Sequence, residues 1–186
     1  VAGRSLRRAV FLDRDGTLNV DTGYVALPSD VRLIPGAAQG AKRLADAGYT
    51  LVIASNQSGI ARGMMTEAMA DAVDARLLDL LREQGVTIEA SYRCPHLSGG
   101  EVPLYAVECE CRKPKPGMLV QAARDLGLDL AASWMVGDGL RDVEAGLAAG
   151  TRAVLIGAHD GHAAEGALAY QAKDLIDAAR IITTKG

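Results

Sequence analysis

At 186 residues, with 49% hydrophobic and 23% charged side chains, the chain has the length and make-up of one globular domain with a core of its own. Its formal net charge of −3 argues against a general nucleic-acid surface, so an anionic ligand must meet local positive charge. The three cysteines cannot all pair with one another and no apolar window approaches the length of a membrane span, so the expected setting is a reducing cytoplasm with no membrane partner.

Val1 to Arg8 carries Arg4, Arg7 and Arg8 without an apolar core and does not read as a signal peptide. Ala9 to Leu12 is a short apolar run, expected as a buried strand of a parallel sheet, and it ends at Asp13-Arg14-Asp15-Gly16-Thr17. Side chains alternate along a strand, so Asp13 and Asp15 are expected on one side and Arg14 on the other. Asp21 to Ile34, with Gly23, Tyr24 and Pro28, reads as a long loop over that strand end. Gly36 to Ala47 has helical apolar spacing closed by Gly48, and Thr50 to Ala54 is a second strand that runs into the polar stretch Ser55 to Gly63.

Thr66 is expected to cap a long helix with a core stripe of Met69, Val73, Leu77, Leu80 and Leu81, ended by Gly85. Thr87 to Tyr92 alternates like a third strand, Cys94 to Cys111 is an irregular loop, and Pro116-Gly117 opens a helix that stops at Gly127. Ser133 to Val136 is the fourth strand and delivers Gly137-Asp138-Gly139 before a short helix; Arg152 to Ile156 is the fifth. From Gly161 an alanine-rich loop leads to a helix around Leu175, Ile176, Ala179 and Ile182. This alternation predicts an α/β fold over 1–186: a three-layer, Rossmann-like parallel sheet with helices on both faces and a crevice at the carboxyl ends of the strands.

Three strand ends therefore bring Asp13 and Asp15, then Ser55, then Asp138 with Asp142 to one crevice. At an effective dielectric of about 20 and a separation of about 4 Å, two carboxylates repel by roughly 4 kcal/mol, which calls for a cation or for one acid that stays protonated. One carboxylate can then serve as a nucleophile beside a divalent metal and the other as general acid and base. Asp13 with Asp138 makes a hard oxygen site of the kind that suits Mg²⁺. Asp142 is either an acid supporting that site or an anion at a helix start, and Ser55 either offers its hydroxyl to a phosphate or caps a turn. Arg112-Lys113 supplies local positive charge: Lys113 can neutralise a phosphate near the acids, and Arg112 can fork onto a second phosphate or a sugar, the alternative being a solvated basic turn.

Cys94-Pro95-His96 and Cys109-Glu110-Cys111 place all three cysteines and one histidine in a single loop, 94–111. Three thiolates and an imidazole make a closed tetrahedral site that favours Zn²⁺ and leaves no open position, so this zinc is expected to be structural and to order a loop with little apolar material.

Asp13-Arg14-Asp15-Gly16-Thr17, Ser55-Asn56-Gln57, Lys113 and Gly137-Asp138 resemble the four motifs of the haloacid dehalogenase (HAD)-like phosphatases over nearly the whole chain. Asn19-Val20-Asp21, Ser55 to Gly63, Cys94-Pro95-His96 and Cys109 to Pro114 look like the branch acting on sugar bisphosphates and histidinol phosphate. The resemblance implies Asp13 as nucleophile, Asp15 as general acid/base, and Ser55 and Lys113 as stabilisers of the transferring phosphoryl group. It implies Mg²⁺ on the Asp13 carboxylate, the Asp15 carbonyl and Asp138, zinc on Cys94, His96, Cys109 and Cys111, and no large cap domain. Substrate contacts are implied for Asp21, Thr22, Gly23, Tyr24, Asn56, Gln57, Ser58 and Arg112. One departure is Gly139, where members of the family often carry Lys. The expected partner is a small phosphorylated sugar, with a monomeric enzyme and no nucleic acid. A different class remains as alternative: the Cys/His loop with its basic neighbours as a zinc-ribbon module for RNA or protein, against which the acidic charge and the 4% aromatic content count.

Overall fold

The computed structural model describes residues 6–157 and 169–186; residues 1–5 and the start of the alanine-rich stretch expected from Gly161 lie outside the described residues. Strands β1 (Ala9–Leu12), β2 (Thr50–Asn56), β3 (Ala90–Cys94), β4 (Trp134–Gly137), β5 (Arg152–Ile156) and β6 (Ala169–Ala172) form one parallel sheet in the order β3-β2-β1-β4-β5-β6. Helices α1 (Ala37–Asp46), α2 (Glu67–Glu83), α3 (Gly117–Leu126), α4 (Leu140–Ala149) and α5 (Leu175–Lys185) complete the three layers, and no large cap domain is present among the described residues.

Strand periodicity divides the core in two. Val10, Leu12, Leu51, Ile53, Val136, Val154 and Ile156 pack with residues of α1, α2 and α5, while the intervening Ala9, Phe11, Val52, Ala54 and Met135 pack with Met118, Leu119 and Ala122 of α3. Val143 of α4 joins Ala153 and Leu155 on that second face. All four residues of β1 are buried, which explains why the run carries no polar alternation: it is covered on both sides. Burying a side chain such as Phe11 contributes about 1.5–3 kcal/mol, and that packing rather than intrinsic propensity fixes β1 at the centre.

Helix α2 begins where expected, the Thr66 hydroxyl accepting the Met69 N–H at 3.2 Å. Several boundaries differ from the sequence reading, and β4 runs Trp134–Gly137 where Ser133 to Val136 is expected. β2 continues through Asn56, since Ser55 and Asn56 pair with Arg93 and Cys94. β3 starts at Ala90 rather than Thr87 and includes Cys94, its pairing with β2 running from Val52 to Asn56. β6 is an addition: at the sheet edge only Ala172 of its four residues is buried, so no apolar run announces a strand.

Order along the sheet reverses between β1 and β4, and the crevice of an open α/β sheet lies at such a point. Asp13 follows β1 and Asp138 follows β4, so the two acids meet there.

Candidate active site

Past Leu12 the chain leaves the strand. The Asp13 N–H still donates to the Val136 carbonyl at 2.9 Å, but Leu18 and Asn19 N–H both return to the Arg14 carbonyl at 2.9 Å, closing a tight loop. Strand alternation therefore stops at Asp13, and Arg14 does not face away from the acids as expected. Its buried guanidinium swings back to Asp15, with Nη2 2.8 Å from Oδ2, and also holds Asp74 Oδ1 at 2.8 Å and Gln57 Oε1 at 2.9 Å. Asn19 Nδ2 and Gln57 Nε2 add bonds to Asp15 at 3.1 and 3.0 Å, so its carboxylate has a fixed orientation.

Asp13 is buried and one of its oxygens is fastened: Oδ1 accepts the Arg14 N–H at 2.8 Å and lies 2.9 Å from Lys113 Nζ. Among the described residues no hydrogen bond holds Oδ2. Lys113 is itself fully buried; its ammonium donates to the Ala54 carbonyl at 2.7 Å and forms ion pairs with Asp13 and, at 2.5 Å, with Asp142 Oδ1. Asp142, left open by sequence, fills both roles considered for it: Oδ2 accepts the Gly139 N–H at 3.0 Å at the start of α4, and Oδ1 secures Lys113. The close approach requires Gly137, where a Cβ would lie 2.4 Å from Asp142 Cγ.

Burial pushes the Asp13 carboxyl above its ordinary pKa, Lys113 acting against that shift and Asp142 adding to it. Asp138 is raised too, first by burial and then by the charge on Asp13. Its Oδ1 is buried without a hydrogen-bond partner. Ligand oxygens of Asp13, Asp138 and Asp142 lie within 4.8 Å of one another. Since Lys113 already neutralises Asp142, the two acids left to share a cation are Asp13 and Asp138, and their hard oxygen donors fit Mg²⁺. Gly16 makes room for this: with φ of 80° it lies so close to Asp138 that a Cβ would overlap Oδ2 at 1.9 Å.

Asp13, Asp15, Asp21, Gly23, Tyr24, Ser55, Asn56, Gln57, Ser58, Arg112 and Arg141 line a single cleft of about 250 Å³. Thr22 sits beside them on an exposed stretch but does not line it. Ser55 Oγ accepts Gln57 Nε2 at 2.7 Å, which leaves the hydroxyl proton free to donate into the cleft. Gln57 is largely occupied internally, by Ser55, Asp15 and Arg14. Asn56 makes two bonds at 3.0 Å to the backbone of Lys113, accepting its N–H and donating to its carbonyl, and so clamps the Arg112-Lys113 segment against β2.

The Cys/His loop is assembled as the spacing suggested. Cys94 Sγ to Cys109 Sγ is 3.5 Å, Cys109 to Cys111 3.3 Å, and His96 Nδ1 lies 3.3 Å from Cys111 Sγ and 3.7 Å from Cys94 Sγ. Around a tetrahedral zinc the S···S edge is about 3.8 Å and the S···N edge about 3.6 Å, so these four atoms already have the dimensions of such a cage. Burial pushes the Cys94 thiol upward and, with both neighbouring thiols, the Cys111 thiol too, while Cys109, against its own burial, is held down by hydrogen bonds from Cys111 and Cys94. The loop is not a free-standing module: Arg112, next to Cys111, donates to the His96 carbonyl at 3.2 Å and then reaches the cleft.

The HAD-hydrolase-like family model matches residues 110–178. D-glycero-beta-D-manno-heptose-1,7-bisphosphate 7-phosphatase of Yersinia pestis is 47% identical over 141 residues, covering 76% of this chain and 75% of that protein. The phosphatase of the same name from Escherichia coli K12 is 45% identical, covering 76% and 74%. This chain belongs to the HAD-like phosphatases. As a HAD-like phosphatase it is a phosphoric monoester hydrolase, and phosphatases of this family use Mg²⁺. Solved HAD-like phosphatases agree in fold. One from Mesorhizobium loti is 39% identical with a TM-score of 0.86 over 100% of this chain and 92% of its own. The D,D-heptose 1,7-bisphosphate phosphatase from B. bronchiseptica, complexed with magnesium and phosphate, is 33% identical with a TM-score of 0.83 over 96% and 99%.

In this phosphatase the residues that sequence reasoning did not place are Arg141, which lines the cleft, and Asp74, which ties Arg14 to α2. Asp74 also meets Arg93 Nη1 at 3.3 Å, and Arg93 pairs in turn with Glu67 at 2.9 Å and with Asp71. An Arg in the first turn of a helix, where the macrodipole disfavours a cation, was the signal available for Arg141.

Proposed function

We propose that this phosphatase removes the 7-phosphate of D-glycero-D-manno-heptose 1,7-bisphosphate through an aspartyl-phosphate on Asp13. The observation that carries the chemistry is Asp13 itself, buried with Oδ1 fastened by Lys113 and the Arg14 N–H and Oδ2 untethered at the floor of the cleft. Similarity to the heptose bisphosphate phosphatases named above supports the substrate. Asp13 Oδ2 attacks phosphorus, the bond to the sugar oxygen breaks, and Asp15, oriented by Arg14, Asn19 and Gln57, gives that oxygen its proton. Asp15 then takes a proton from the water that hydrolyses the acyl phosphate. Ser55 donates to a phosphoryl oxygen, and Lys113 holds positive charge at the nucleophile throughout.

Asp13, the Asp15 carbonyl and Asp138 are the residues proposed to hold Mg²⁺, which supplies Lewis-acid neutralisation of the phosphoryl oxygens. Zinc on Cys94, His96, Cys109 and Cys111 is proposed as structural, with the loop 94–111 part of a single HAD-like unit over 1–186. Asp21 to Tyr24, Asn56 to Ser58 and Arg112 are proposed to border the sugar, in a monomeric cytoplasmic enzyme. Phosphate release with Mg²⁺ from the heptose bisphosphate, its 7-monophosphate, histidinol phosphate and an aryl phosphate tests the reading. The highest kcat/KM is expected on the bisphosphate; a preference for histidinol phosphate would replace the substrate and keep the chemistry.

A further inference from the structure

The cations of the cleft are not equivalent. Lys113 is spent on Asp13 and Asp142, and Arg14 on Asp15, Asp74 and Gln57. Arg112 donates only to the His96 carbonyl, which carries no net charge, and Arg141 makes no hydrogen bond or ion pair among the described residues. Both guanidiniums line the cleft, one arriving from the Cys/His loop and the other from the start of α4, just after β4. Arg141 stands in the first turn of α4, where helix electrostatics disfavour a cation, and the charge it faces is that of Asp138, which it opposes without an ion pair. Its side chain folds back over Gly139: a Cβ on that residue would meet Arg141 Cγ at 3.5 Å and Cζ at 3.6 Å. The bare backbone at 139 thus leaves the space beside it to the guanidinium two residues later.

We propose that Arg141 and Arg112 together clasp the non-reacting phosphate of a sugar bisphosphate, Arg141 being the specificity-determining residue on the β4 side. The proposal rests on the bisphosphate reading above. Two planar guanidiniums that donate to no carboxylate suit a static dianion, since each can offer paired N–H donors to phosphate oxygens. Lys113, with its donors committed beside Asp13, serves the phosphoryl group in flight instead.

The test compares kcat/KM of wild type, Arg141→Ala, Arg141→Lys, Arg112→Ala and the double Ala variant on heptose 1,7-bisphosphate, heptose 7-phosphate and an aryl phosphate. Arg141→Ala is expected to lose more on the bisphosphate than on either monophosphate, by on the order of 10-fold, with Arg141→Lys recovering part of the difference. The double variant should handle bisphosphate and monophosphate with similar kcat/KM. Equal losses of Arg141→Ala on all three substrates, including complete inactivity, would overturn the proposal while a wild type that prefers the bisphosphate keeps the function standing. A wild type with no preference for the second phosphate overturns the substrate reading and this inference with it.

Discussion

The carboxylate cleft and the Cys/His loop are both clusters of metal-ligating side chains with donor atoms within 4.8 Å of one another, yet they are built on opposite principles. In the cleft the protein's own ammonium, Lys113, sits between Asp13 and Asp142, so part of the negative charge is neutralised and the rest is left for an exchangeable hard cation and a substrate. In the loop four donors face one another with no basic side chain among them, and a tetrahedral ion would use every position. Reactivity needs a deficit of ligands; rigidity needs a full set. The two meet in three consecutive residues, Cys111, Arg112 and Lys113, which belong respectively to the cage, the cleft wall and the buried charge pair.

The sharpest way to break this contrast is at Asp13, the proposed nucleophile. In that role Asp13→Asn removes the attacking oxyanion and should lower kcat by on the order of 10⁴-fold or more, while the zinc content stays unchanged. Trapping the phosphoenzyme and mapping it by mass spectrometry checks the assignment: a phosphoryl group on any other residue ends it. Asp15→Asn should cost roughly 10²- to 10⁴-fold on a sugar phosphate, through loss of the proton needed by a poor leaving group. An aryl phosphate, whose leaving group is already acidic, should suffer much less, and an equal loss on both would remove Asp15 from the role of general acid.

On the other region the expected effects invert. Protein purified without added metal should carry about one Zn²⁺ per chain, the four donors being a complete set. Cys109→Ser should lose that zinc and melt several degrees lower, while the protein that remains folded retains measurable turnover. Near-zero zinc in wild type with reduced thiols, measured by elemental analysis, would refute the cage.

Which parts of this were legible beforehand follows from how locally each is encoded. Asp13, Ser55 and Asp138 each end an apolar run, so the strand pattern itself delivered them to one edge of the sheet. Cysteine is rare enough in this chain that its clustering was informative. Arg14 departs from the expected alternation because it lies two residues beyond the end of β1; the turn that bends its guanidinium to Asp15 depends on Leu18 and Asn19 closing onto the Arg14 carbonyl. Arg141 leaves only a faint signal, a cation in the first turn of a helix, which otherwise reads as surface; the path from β4 into α4 turns it to the cleft. β6 escaped because an edge strand needs backbone pairing and little else.

Asn56 bridges the two regions, and it gives the smallest effect and the finest distinction. The motif resemblance puts it among the substrate contacts, whereas its side chain makes both of its hydrogen bonds to the backbone of Lys113. If those bonds are its main work, Asn56→Ala frees the Lys113 segment from β2 and leaves two backbone groups of the buried Lys113 without their partner. The cost should be about 1–2 kcal/mol, since water can enter the space the side chain vacates from the cleft. For a chain of this length that is a fall in Tm of roughly 2–8 °C. Turnover should drop by less than about 10-fold on bisphosphate and aryl phosphate alike, as Lys113 keeps its contacts with Asp13, Asp142 and the Ala54 carbonyl. A variant with unchanged Tm but a large rise in KM for the sugar phosphate alone would show the opposite, that Asn56 meets the substrate and that the clamp on Lys113 is incidental.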